Sequence, residues 1–118
     1  MESNFDRSIE VLQSAQKEHL YTNLLQQIRK DFSLANIDVK LEGDMEPLQL
    51  HDVLREKIYF LLLERFQQYL NLLYVVDISE KEIKKMGPLD AADASAQICF
   101  LILKREWQKV WLKHKYNS

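Results

Sequence analysis

The chain has 118 residues, 47% of them hydrophobic and 29% charged, with a net charge of −2 and only two glycines and two prolines. This is the composition of a globular protein, and the length predicts one domain, residues 1–118, able to bury about 65% of its unfolded surface. The lone Cys99 excludes an internal disulfide and favours a reducing, cytoplasmic setting, and so little Gly and Pro favours long helices.

Met1 is followed by Glu2, Asn4 and Asp6 where an export signal needs a basic start and an apolar run, so no such segment is expected. Phe5, Ile9, Leu12, Leu20, Leu24, Ile28 and Phe32 recur at mostly helical spacing. They predict a helix over about 5–32 with a break near Gln16, its start marked by Ser3 and Asp6 as a capping box. In Asn36 to Glu42, Ile37, Val39 and Leu41 alternate with Asp38, Lys40 and Glu42, which reads as one short strand. A lone strand has no partner in a helical chain. The segment is either an extended strap over the helices or a strand paired with its copy in a dimer, and the strap is favoured because short extended connections are common.

Pro47 can open a helix, and Leu48 to Val76 is the most apolar segment. At 100° per residue, Glu64, Gln67, Gln68 and Asn71 gather into one polar stripe, and the remainder is almost entirely apolar. Such a helix is either the central one or a subunit interface. Its apolar runs, Ile58 to Leu63 and Leu72 to Val76, are interrupted by Glu64 and Arg65, and a membrane span needs about 20 apolar residues. Arg65 falls on the apolar side, where it needs a carboxylate such as Asp77, Glu80 or Glu106 in a structural ion pair. Ser79 is placed to cap a short helix of Glu80 to Met86, with Glu82 completing the box, before Gly87 and Pro88 stop it. Asp90 or a neighbour then caps a last helix from about Ala91 to Tyr116, with Asp93 at its start and Lys113 and Lys115 at its end suiting the helix dipole.

That last helix changes character. Ile98, Cys99, Phe100, Leu101, Ile102 and Leu103 point all round it, so this half should be buried on every side. Farther on, Leu103, Trp107, Val110 and Trp111 hold one face. The other face carries Lys104, Arg105, Lys109, Leu112, Lys113, Lys115 and Tyr116, a pattern able to grip an acidic partner, a phosphate backbone or a membrane surface. The simpler reading is a solvated outer face, and the acidic balance of the whole chain weighs against nucleic acid. His19, His51 and His114 lack a second ligand at metal-binding spacing, and Cys99 reads as a core residue. The pairs Glu80 with Glu82 and Asp90 with Asp93 are explained by capping. No glycine-rich phosphate loop or hydrolase motif occurs, so no cofactor or small-molecule substrate is expected.

The run L-Y-V-V-D-I-S-E from Leu73 to Glu80, and L-K-R-E-W-Q-K-V from Leu103 to Val110, resemble those in a family of short, uncharacterised bacterial proteins. The likeness spans about residues 24–115 and implies no particular activity. The two runs pair an acidic turn with a basic helix, so Arg105 or Lys109 is expected to bind Asp77 or Glu80 and lock the turn in place. The resulting expectation is an all-α bundle of three long helices and one short one, with an extended connection near residues 36–42. Its function is expected to be that of a non-enzymatic interaction or regulatory module, homodimeric through the apolar Leu48 to Val76 segment. The alternative is a nucleic-acid accessory protein using the basic helix, and an enzyme without a recognisable motif is the third reading.

Overall fold

Ser3 opens the first helix: its Oγ accepts the Asp6 N–H at 3.0 Å. In the computed structural model, which describes residues 2–117, six helices follow one another: α1 (Asn4–Lys17), α2 (Tyr21–Leu34), α3 (Pro47–Glu64), α4 (Phe66–Val76), α5 (Glu80–Lys84) and α6 (Ala91–Asn117). The fold is all-α, and no strand occurs among the described residues.

Three helices end by the same device, although no glycine is present at any of them. His19, Asn36 and Asp77 take left-handed φ values of 59°, 60° and 72°. The next residue then bonds back five positions: Leu20 N–H to Ala15 O at 2.8 Å, Ile37 N–H to Phe32 O at 2.9 Å and Ile78 N–H to Leu73 O at 3.0 Å. This Schellman geometry satisfies carbonyls the helix leaves open, and it turns an apolar residue back toward the core. Leu20 and Ile37 are accordingly buried and Ile78 is half-buried. The first expected helix therefore breaks at His19, slightly beyond Gln16.

Residues 36–42 form the strap and not a strand. Ile37 and Leu41 are buried and Asp38 and Lys40 exposed, so the sequence alternation records one side of an extended segment lying on the core. Side chains tie the connection down. Arg29 Nε donates to Leu41 O at 2.8 Å, Gln68 Nε2 to Asn36 O at 3.3 Å, and the Tyr21 hydroxyl to Met45 O at 2.7 Å.

The expected single helix from Leu48 to Val76 is two helices, broken at Arg65 with φ −144° and ψ 57°. The break re-aims α4, burying Tyr69, Leu72, Leu73 and Val76. It also corrects the expected position of Arg65, which is exposed and donates from Nη1 to Glu64 O at 2.8 Å instead of joining a buried ion pair. Glu80, likewise expected to pair, forms no ion pair among the described residues.

The central element is α6, which packs against α1, α2, α3 and α4. Ile98, Cys99, Ile102 and Leu103 are wholly enclosed, and each buried aliphatic of this size contributes about 1.5–3 kcal/mol. Its direction opposite to α3 follows from Arg55 Nη2 donating to Ala92 O at 3.2 Å and the Cys99 thiol lying 3.9 Å from His51 O. The caps expected before α5 and α6 are present. Ser79 Oγ accepts from Glu82 N–H at 3.3 Å, and Asp90 Oδ1 accepts from Asp93 N–H at 2.8 Å. From Trp111 to Asn117 every residue is exposed, and the last two turns of α6 run beside α2 across an open groove.

Candidate functional site

The basic face of α6 divides into two parts. Toward the bundle, Arg105 locks the turn between α4 and α5 as the two sequence runs imply. Its Nη2 lies 2.9 Å from Asp77 Oδ2 and its Nε donates to Asp77 O at 3.2 Å. One turn on, Lys109 Nζ reaches Asp31 Oδ2 of α2 at 2.7 Å and lies 3.1 Å from Glu106 Oε1. Two of the cations singled out for a partner are therefore engaged inside the fold. Lys113 Nζ sits 3.5 Å from Gln27 Oε1, and Lys115 Nζ lies 5.8 Å from the Tyr116 ring centroid. Lys104, Leu112, Lys113, Lys115 and Tyr116 are exposed.

Glu106 is wholly enclosed, and Asp31 is buried beside it. As a carboxylate, Glu106 has no directed hydrogen bond on either oxygen, because the ion-pair contact to Lys109 is not aligned and Asp31 offers no proton. A proton on Glu106 resolves this by making it a donor to Asp31. Burial, then the hydrogen bond and charge of Asp31, push the Glu106 carboxyl up from 4.5 to about 9. Burial alone would raise Asp31 as well, but hydrogen bonds from Glu106 and Lys109 and the Lys109 charge outweigh it and hold Asp31 below the usual range. The trio thus carries one negative charge, one positive charge and one shared proton. Sequence reasoning missed Asp31, although it stands in the helical stripe of Leu24, Ile28 and Ala35, where a charge demands a partner.

Asp31, Glu106 and Lys109 do not line the grooves flanking them. One groove of about 440 Å³ lies between α2 and the end of α6, lined by Gln27, Lys30, Val110, Lys113 and His114. Another of about 180 Å³ runs along the Asp77–Arg105 lock. No group of three or more His, Cys, Asp or Glu side chains is arranged to hold a metal among the described residues. Cys99 is enclosed, and burial pushes its thiol up to about 12, far from a nucleophile's range.

The other conspicuous surface is apolar. Tyr59, Phe60 and Leu63 on α3, with Phe66 and Leu70 on α4, each leave 42–55% of their surface exposed, and Tyr74 continues the α4 stripe. Positions 59, 60 and 63 fall within about 100° of one another around a helix, as do 66, 70 and 74. No helix among the described residues is long and apolar enough to cross a membrane. Compared with family models, with curated proteins and with solved structures, the chain matches none.

Proposed function

We propose that the protein is a non-enzymatic interaction module of the cytoplasm that works as a homodimer closed through the exposed face of α3 and α4. The observation that carries this reading is the series of aromatic and aliphatic side chains from Tyr59 to Leu70 left in water by a fold that encloses its other core-facing stripes. Single exposed apolar residues are ordinary on a monomer, whereas an apolar stripe on each of two consecutive helices marks an interface. A symmetric dimer needs one self-complementary patch, and mixed charges around an apolar centre provide it.

The alternative, a grip on nucleic acid by α6, is supported by Trp111, Leu112 and Tyr116 standing exposed beside Lys113 and Lys115. It is weakened by the commitment of Arg105 and Lys109 to carboxylates within the fold. Light scattering separates the readings. The homodimer gives twice the 14.1 kDa chain mass at about 50 μM, and Leu63→Glu with Phe66→Glu returns it to a monomer. A wild-type chain that remains monomeric there, yet binds DNA or RNA with steep salt dependence, reverses the choice.

A further inference from the structure

We infer that two copies of this chain pair α3 against α3 in antiparallel fashion, about a two-fold axis passing between Phe60 and Leu61. The inference rests on the homodimer reading and adds its register. Phe60 stands between two cations, with Lys57 Nζ and Arg65 Cζ each 5.7 Å from its ring centroid. Both cations therefore lie on the exposed face. Glu56 and Lys57 share with Phe60 a groove of about 500 Å³ beside the strap, and Glu64 is exposed one turn beyond Phe60. The charges thus run acid, base at positions 56 and 57, and acid, base again at positions 64 and 65.

This pattern complements itself only when reversed. Lys57 and Glu64 lie about 20° apart around α3, so about an axis between positions 60 and 61 Lys57 faces the partner's Glu64 on one flank, and symmetry makes the pair twice. A parallel pairing in register opposes every charge with its like. Apolar burial by Tyr59, Phe60 and Leu63 supplies association, and the flanking Lys57 and Glu64 favour the antiparallel pairing over the parallel one, which sets like charge against like.

Charge exchange tests the pairing at Glu64, which is exposed, and at Lys57, which is half-buried beside the strap. Dissociation constants are measured by sedimentation equilibrium for the full chain and its variants. Lys57→Glu and Glu64→Lys should each weaken the dimer at least about tenfold, and the two together should return it to within about threefold of wild type. Disulfide trapping gives an independent readout, because Cys99 is enclosed and silent. Lys57→Cys mixed with Glu64→Cys should cross-link under mild oxidation, while neither variant alone should, since like positions sit about 10 Å apart along the helices. A dimer in which the double exchange is as weak as either single change, and the mixed cysteines stay apart, overturns this axis and leaves the homodimer standing. A monomer at about 100 μM overturns both.

Discussion

Replacing Glu106 with glutamine tests the shared proton directly. Glu106 begins near 4.5 in an unfolded chain and is raised to about 9 by its surroundings, so folding takes up a proton across the interval between. A carboxyl whose folded pKa is raised gives its full stabilisation below the unfolded value and loses it as pH climbs toward the folded value. The slope is about 1.4 kcal/mol per pH unit for one proton, which makes the loss about 3 kcal/mol between pH 6 and pH 8. Asp31 is shifted the other way, so its contribution varies only in acid and is flat in this window. Glutamine has no proton to bind, and its amide N–H can still donate to Asp31. Urea unfolding read by Trp107 and Trp111 fluorescence, at fixed protein concentration, should show wild type losing about 3 kcal/mol more than Glu106→Gln from pH 6 to pH 8. Parallel pH profiles for the two proteins would refute the shared proton.

Lys109→Met removes the only ammonium within 4 Å of Asp31 among the described residues and should cost about 3 kcal/mol in the same unfolding assay, because Asp31 stays buried; a loss under about 1 kcal/mol would show that water reaches it. Ser8 Oγ is enclosed on α1 without a hydrogen-bond partner among the described residues, so Ser8→Ala should stabilise by about 1 kcal/mol in denaturant melts, and destabilisation would reveal a partner. His19→Gly should add about 1 kcal/mol by relieving a left-handed backbone at φ 59°, measured as a higher melting temperature; a lower one would mean that the imidazole contributes more than the strain it imposes.

Much of the helical architecture was legible in local chemistry. Ser3, Ser79 and Asp90 mark helix starts because a side-chain oxygen satisfies N–H groups within three residues of itself, a relation visible in one dimension. The unbroken apolar run from Ile98 to Leu103 fixed its own burial, since no face of that half of α6 can meet water cheaply. The Asp77–Arg105 lock was foreseen from an acidic turn and a basic helix, and short-range chemistry was enough to nominate its partners.

Other features depended on which helices meet. The breaks at His19 and Arg65 carry no glycine or proline; they occur where redirecting the chain lets Leu24, Leu25, Leu72 and Leu73 reach the core, a gain no local propensity records. Periodicity showed that Leu48 to Val76 was broadly apolar but not that α6 would take the centre and leave Tyr59, Phe60 and Leu63 outside. Lys109 read as a surface cation until packing brought Asp31, 78 positions away, to 2.7 Å from its ammonium. The sequence by itself determined the helix starts that a side chain caps and the burial stripes, because these depend on neighbours along the chain. Tertiary structure decided which charges are committed and which apolar side chains are left over, because burial and pairing belong to residues that only folding brings together.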